Sequence, residues 1–485
     1  MSKLVSDLLK NGSYINNEWY TGTINTFSVL NPVDGSVIAE ICDASRNDAE
    51  AAVSAASDAL PLWQAKPAKE RAKILQCWFK LVMEHQDELA YILTMEQGKP
   101  LEESKQEVAY GANYIEWFAE EAKRIYGDTI PGPSSDKRIV VIKQPVGVVA
   151  AITPWNFPSS MITRKVAPAL AAGCTIVVKP AAETPLSAIA LASLAEMAGI
   201  PAGVFNVVVS TQSREVGDVF TKDPRVAKFS FTGSTEVGRI LLQQCSSTIK
   251  KTTMELGGNA PFIVFDDADI DKAIQGALQS KYRNAGQTCV CTNRILVQTG
   301  VFDLFAEKFT EQVNKLVLNK GLAEQVDIGP LVNNGAVESV EKLVDDAVKK
   351  GAKVLTGGKR SALGDCFFEP TVLSNINMSM DVASKEIFGP VAPLIKFDTE
   401  AQAIALANAT EFGLASYIYT RDIGRIWRVS EALEYGMVGI NEGIISNEMA
   451  PFGGVKQSGM GREGSKYGID DYLEIKYLCM GSLND

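Results

Sequence analysis

Whatever chemistry this chain performs is done almost without histidine. His85 is the single His among 485 residues, which excludes within one chain a Ser-His-Asp triad, an H-E-x-x-H zinc site and a His proton relay. Acid–base work therefore falls to carboxylates, Lys, Cys or Tyr. Four segments offer such groups. Asn284-Ala-Gly-Gln-Thr-Cys-Val-Cys291 puts Cys289 in a polar turn behind a long helical pattern. Met254-Glu-Leu-Gly-Gly-Asn-Ala-Pro261 puts Glu255 at the end of a strand, directly before a glycine pair. Thr153-Pro-Trp-Asn-Phe-Pro158 sets the amide of Asn156 between two prolines and two aromatics, and Lys179-Pro180 closes a buried strand. A Cys in such a turn is a possible nucleophile and a strand-end carboxylate a possible base. Each segment also has a structural reading: a lone Cys is most often a small buried hydrophobe.

A fifth segment, Phe231-Thr-Gly-Ser-Thr-Glu-Val-Gly238, falls where a strand should end and a helix begin. Gly233 can take the tight turn and Ser234 can cap, so the amides ahead of this helix could face a pyrophosphate. No G-x-G-x-x-G follows a strand, and neither a G-x-x-x-x-G-K-[ST] loop nor a G-x-S-x-G elbow occurs. By itself the segment is equally well explained as a turn with a helix cap.

These groups need a framework. The length implies two or three domains, and 46% hydrophobic with 22% charged residues is ordinary globular composition. The net charge of −11 is a poor match to phosphate polymers or anionic lipid, so neither nucleic acid nor a membrane surface is an expected partner. Eight cysteines without a CxxC pair argue against a disulfide framework. Met1 to Asp7 carries no apolar leader, and the longest apolar stretch, Val166 to Val178, contains Pro168 and is too short to span a bilayer. A cytoplasmic protein is expected.

A helical pattern runs from Glu70 to Gln97, with Ile74, Trp78, Leu81, Val82, Leu89 and Ile92 recurring at helical spacing until Gly98-Lys99-Pro100 stops it. His85 lies inside it as a packing or surface residue. Strands are predicted at 138–143 and 146–152, and then strand and helix alternate: helix 159–172, strand 174–179, helix 185–198, strand 204–209, helix 211–221, strand 226–231, helix 235–244. Repeated βαβ units predict a buried parallel sheet with helices on both faces, a nucleotide-binding architecture. A second α/β set covers about 260–459, with helices at 269–284, 302–318 and 336–350. The last ten residues before Gly481 alternate like a strand with no local partner, so pairing with another subunit is the favoured expectation over packing on its own domain.

Taken together, the motifs resemble the NAD(P)-dependent aldehyde dehydrogenases over nearly the whole chain, including Glu386-Ile-Phe-Gly-Pro390 and Pro451-Phe-Gly-Gly-Val-Lys456. Ile162-Thr-Arg-Lys165, Lys281 to Cys291, Gly443-Ile-Ile-Ser-Asn-Glu448 and Gly461-Arg-Glu-Gly-Ser-Lys-Tyr-Gly468 look most like the succinate-semialdehyde branch. The resemblance implies an α/β fold of three parts. These are a Rossmann-like cofactor domain (1–123 and 146–256), a catalytic domain (257–458) and a small β oligomerisation element (124–145 and 459–485) of a dimer or tetramer.

It also implies Cys289 as nucleophile, Asn156 with the Cys289 N–H as oxyanion donors, and Glu255 as the base that hydrolyses the thioester. Trp155, Lys179, Ala182, Gly233, Ser234, Gly238, Leu256, Glu386 and Phe388 would hold the cofactor. Arg164, Arg283 and Ser446 would hold the substrate carboxylate. Cys291 would form a reversible disulfide with Cys289, as in some members of the branch. No metal is implied. Ala182 stands where NAD-specific members commonly carry Glu, so NADP is expected to be accepted and preferred over NAD, with Glu183 next door as the competing carboxylate. Glu442 departs from the branch pattern, which has a small hydroxyl residue there, and its expected orientation is toward solvent. The alternatives are a dehydrogenase for glutarate semialdehyde or an uncharged aldehyde, a CoA-acylating relative, and a non-catalytic homologue.

Overall fold

The computed structural model describes residues 5–21 and 25–483. The first four residues, on which the expectation of no leader partly rests, lie outside that range. Five parallel strands form the centre of an eight-stranded sheet, in spatial order Lys251–Glu255, Val226–Thr232, Val148–Ile152, Thr175–Lys179 and Phe205–Val207. Antiparallel strands close both edges, Gly459–Met460 beside Lys251–Glu255 and Ser13–Ile15 with Glu18–Tyr20 at the far side. The central strands are rich in Val, Ile, Ala and Phe because both faces are covered. Their period of two sorts the side chains. Val149, Ala151, Ile176 and Val178 join the core that includes Ala112, Ile115 and Phe118 of helix Leu101–Glu121 and Val166 and Leu170 of helix Ser160–Ala172. Val148, Ala150, Val177 and Phe229 face the opposite way, toward Ala52, Val53 and Ala56 of helix Arg46–Ala65.

The chain lays down Val148–Ile152 first, steps outward to Thr175–Lys179 and Phe205–Val207, then returns to the other side for Val226–Thr232 and Lys251–Glu255. That reversal is a topological switch point, and ligands bind outside the carboxyl ends of the strands there. The 153–158 segment, Lys179, the 232–238 turn and Glu255 all lie at those carboxyl ends.

A seven-stranded sheet carries the second set, in order Lys353–Thr356, Thr371–Ser374, Val391–Phe397, Thr292–Gln298, Ala260–Val264, Ala415–Tyr419 and Met437–Ile440, all parallel except the first. Three site segments precede its strands: Gly257 to Asn259, Cys289 to Cys291, and Glu386 to Pro390. Only Leu256 to Asn259 separate Glu255, at the carboxyl end of a strand in the first sheet, from Ala260, which opens a strand of the second. The two sheets therefore present these loops to one cleft.

Most predicted elements form within a few residues of their expected bounds, and four differ. The helix expected over 302–318 ends at Val313. The helix expected over 70–97 is two, Ala68–Glu84 and Gln86–Gln97, because His85 leaves helical geometry (φ −100°, ψ 17°) while bonding Glu88 through its ring (2.9 Å). The helix expected to reach Asn284 stops at Tyr282, where Asn284 and Ala285 take positive φ (50° and 55°) in a tight turn. The C-terminal strand has a partner within its own chain. Leu473–Met480 pairs antiparallel with Arg138–Pro145 along its full length, in a three-stranded sheet completed by Asp128–Pro131. The sequence pattern hid this because the two strands lie over three hundred positions apart. No helix among the described residues is long and apolar enough to cross a membrane.

Candidate active site

One cavity of about 440 Å³ opens between the sheets. Of the candidate residues, it brings together Trp155, Asn156, Arg164, Gly233, Ser234, Glu255, Leu256, Arg283, Cys289, Glu386, Phe388 and Ser446. Four others do not line it: Lys179, Ala182, Gly238 and Cys291.

Cys289 sits in the turn between the Arg283–Gly286 corner and strand Thr292–Gln298, where Cys291 N–H donates to Thr288 O (3.0 Å). Gly258 must be Gly here, since a Cβ would meet the Cys289 carbonyl oxygen at 2.4 Å. Tyr417 OH donates to Val290 O (2.8 Å) and pins the turn from strand Ala415–Tyr419. The Cys289 N–H makes no hydrogen bond among the described residues and is free to donate. Asn156 Nδ2 donates to Gln287 O (3.0 Å), two residues before the thiol, while its buried Oδ1 has no partner. The amide and the thiol are thus held in one wall. Burial, with the Glu386 and Glu255 carboxylates nearby, pushes the Cys289 thiol up to about 12. A thiol raised in this way is protonated at rest and would have to lose its proton to attack.

Glu255 is fully enclosed and neither carboxylate oxygen has a hydrogen-bond partner. Burial, then the like charge of Glu463, pushes its pKa well above the carboxylate range. Glu463 goes the other way: burial opposes its charge, but Lys165 (2.6 Å) and Arg164 (2.9 Å) outweigh burial and hold it ionised. Two neighbouring carboxyls with opposite shifts leave one raised above the carboxylate range, suited to accepting a proton, and one fixed anion. Lys165 and Glu463 had no role in the sequence reading. The available signal was a Lys inside an otherwise apolar helix, Ser160–Ala172, which is buried throughout.

The two candidate arginines differ. Arg164 is 1% exposed, its charge is matched by Glu463, and it also donates to Tyr114 OH (2.8 Å). Arg164 still lines the cavity with Arg283 and Ser446, so a substrate anion there would share it with Glu463. Arg283 is only half-buried and makes no hydrogen bond or ion pair among the described residues, its guanidinium lying 5.4 Å from the Phe157 ring. Arg283 also lines a small adjoining cleft with Ser446, Ile444 and Tyr417. Glu442 points away: its carboxylate accepts from Gly443 N–H (2.8 Å) and Ile444 N–H (2.9 Å) and is exposed.

On the side of the first sheet the residues fit a dinucleotide. Gly233 and Ser234 open helix Thr235–Cys245 with Ser234 accepting from Val237 N–H, and the Thr232 hydroxyl beside them is buried without a partner. Trp155 and Phe388 meet edge to face at 5.5 Å, with Phe388 at a positive φ of 51°. Glu386 accepts from Gly258 N–H (3.0 Å), and burial pushes it up to about 7. Lys179, further out, bonds only the neighbouring Pro180 carbonyl (3.2 Å). Burial lowers it to about 8. Ala182 and exposed Glu183 border it. Gly238 works by packing, since a Cβ there would strike Leu256 at 2.4 Å. The Cys291 sulfur is enclosed by Lys281, whose Nζ donates to it at 3.4 Å, and by backbone carbonyls. Among the described residues no cluster of three His, Cys, Asp or Glu side chains is placed to hold a metal ion.

Known proteins share this arrangement. The profile of the aldehyde dehydrogenase family matches residues 19–478. The NADP(+) succinate-semialdehyde dehydrogenase GabD of Escherichia coli (strain K12) is 59% identical over 98% of this chain and 99% of its own. A glutarate-semialdehyde dehydrogenase of Pseudomonas putida is 59% identical over 98% of both chains. The crystal structure of succinate-semialdehyde dehydrogenase from Burkholderia pseudomallei superposes with a TM-score of 0.96 at 58% identity, covering 98% of each chain. With the family profile matching residues 19–478 and these relatives 58–59% identical over 98% of it, this chain belongs to the aldehyde dehydrogenase family.

Proposed function

We propose that this enzyme oxidises succinate semialdehyde to succinate, with NADP preferred over NAD. The observation that carries the substrate is Arg283, an uncompensated cation beside Ser446 in the cavity that holds Cys289. A terminal carboxylate would meet a charge-assisted clamp there while its aldehyde reaches the thiol. Glutarate semialdehyde, one methylene longer, is the second substrate to test, because a relative of equal identity acts on it.

In this reading the Cys289 thiol gives up its proton to solvent as its sulfur adds to the aldehyde carbon. Asn156 Nδ2 and the Cys289 N–H receive the developing oxyanion, each donor worth about 3 kcal/mol. A nicotinamide held in the dinucleotide crevice would supply the hydride acceptor. Glu255 then takes a proton from the water that cleaves the thioester, a task its raised pKa suits. Trp155, Phe388, Glu386, Leu256 and the 232–234 turn would seat the cofactor, with Lys179 at the adenosine end. A panel of succinate, glutarate and uncharged aldehydes, each with NAD and NADP, tests the assignment. A preference for uncharged aldehydes would reject it.

The cofactor preference rests on Ala182. A Glu at this position would accept from the ribose hydroxyls and repel a 2′-phosphate, a like-charge contact costing several kcal/mol. Ala182 does neither, and Lys179 attracts the phosphate. Ala182→Glu is expected to move the kcat/KM ratio toward NAD. A wild-type ratio favouring NAD by tenfold or more would defeat the preference.

The disulfide between Cys289 and Cys291 requires the Cys291 sulfur to leave Lys281. If it forms, peroxide inactivation should be reversed by dithiothreitol in wild type and not in Cys291→Ala. Identical behaviour of the two proteins would make Cys291 a packing residue alone. The three sheets support the division into cofactor domain (1–123 and 146–256), catalytic domain (257–458) and oligomerisation element (124–145 and 459–485). The outer edge of Leu473–Met480, with exposed Ile475, Tyr477 and Met480, suits a subunit contact in a homo-oligomer. A cytoplasmic location goes with this reading.

A further inference from the structure

Lys99 and Glu107 form an ion pair at 2.6 Å with both side chains 1% exposed. A pair buried this deeply contributes little net stability, since desolvation of both charges offsets their attraction. What distinguishes it is where the remaining hydrogen bonds go. Lys99 Nζ donates to the backbone carbonyl of Asn156 (2.7 Å) and lies 3.9 Å from the Phe157 ring centroid. The other oxygen of Glu107 accepts from the N–H groups of Ser159 (2.9 Å) and Ser160 (3.2 Å). Both ends of the 156–160 turn are therefore tied to one pair, which itself flanks the start of helix Leu101–Glu121. One turn earlier on that helix, Glu103 accepts from Asn284 N–H (2.8 Å), and Asn284 Nδ2 returns to the Asn156 carbonyl (3.0 Å). The helix start thus holds the Asn156 turn and the Asn284 corner that leads to Cys289 in one frame.

We propose that Lys99 and Glu107 are positioning residues that set the Asn156 amide at the point where the oxyanion forms. The inference rests on the reading of Asn156 as an oxyanion donor. An apolar pair would fill the same space, but it would fix neither the direction of the Asn156 carbonyl nor the two amides at 159–160. A misplacement of a catalytic group by about 1 Å costs on the order of a hundredfold in rate.

The test is a double-mutant cycle on the NADPH burst with succinate semialdehyde, using wild type, Glu107→Gln, Asn156→Ala and the double variant. Glu107→Gln is expected to slow the burst about 10- to 100-fold. Both KM values should stay within about threefold, the signature of an interaction realised in the transition state. Asn156→Ala should slow the burst about 10²- to 10³-fold, and adding Glu107→Gln should then cost nothing more. Lys99→Met combined with Glu107→Leu removes the pair without orphaning a charge. It should unfold near the wild-type temperature and show the slow burst of Glu107→Gln. An equal loss from Glu107→Gln in both backgrounds, or a wild-type burst in the Lys99→Met/Glu107→Leu protein, overturns the positioning role and leaves the Asn156 assignment standing. A wild-type burst in Asn156→Ala overturns the oxyanion assignment itself, and this inference with it.

Discussion

Cys289→Ala should abolish dehydrogenation, and Glu255→Gln should allow one turnover and then stall. The first loss is complete because no other thiol lines the cavity among the described residues; Cys291, two positions on, is enclosed by Lys281. Retention of even about a tenth of wild-type turnover in Cys289→Ala would remove it as nucleophile. The second variant isolates deacylation. Hydride transfer needs no water to be activated, so a stoichiometric burst of NADPH should survive while the steady state collapses. pH supplies an independent check. Glu255 must be a carboxylate to take a proton, and its pKa is raised by burial and by Glu463. The steady-state rate of wild type should therefore climb with pH above the ordinary carboxylate range. The burst-competent Glu255→Gln enzyme should lack that rising limb. A steady-state profile identical in shape for the two proteins would place the base elsewhere.

Arg283→Ala should raise KM for succinate semialdehyde strongly and leave an uncharged aldehyde of similar length nearly unaffected. The structure makes this sharper than for Arg164, whose charge is already matched. Removing the charged partner Arg283 from a desolvated carboxylate costs about 2–3 kcal/mol or more, a factor of roughly 30 to 150. Arg164→Ala is expected to behave differently, since it leaves Glu463 short of a counter-ion and disturbs Glu255 with every substrate. Equal losses on charged and uncharged aldehydes in Arg283→Ala would make that residue structural.

Local pattern was enough for much of this. The alternation of apolar runs with helical periods from 138 to 245 specified a parallel sheet, because strands buried on both faces read as continuous Val, Ile and Ala. The order of the motifs specified the family, since Cys289, Glu255 and Asn156 each stand in a long segment of their own. Helix ends were less legible. His85 and Asn284 break helices through dihedral angles that their neighbours' packing imposes, and residue type alone carries little of that. The partner of the C-terminal strand was hidden from periodicity for a different reason, since pairing between Leu473–Met480 and Arg138–Pro145 is a long-range contact with no local signature; only the family resemblance grouped 124–145 with 459–485.

Residue types and spacing by themselves placed a cysteine, a carboxylate and an amide in turns and at strand ends of an α/β fold, and the family resemblance assigned them roles with a nicotinamide cofactor and a semialdehyde. Which arginine lacks an ion pair, which carboxyl is raised and which is held ionised, and what ties down the Asn156 turn were decided only by tertiary structure. Glu255 and Glu463 are chemically the same group, and so are Arg164 and Arg283. Their difference comes from burial and from partners brought together across hundreds of residues: Lys165 and Arg164 on Glu463, Glu463 on Glu255, Lys99 on Asn156. Charge and desolvation act through space, and a sequence lists neighbours only along the chain.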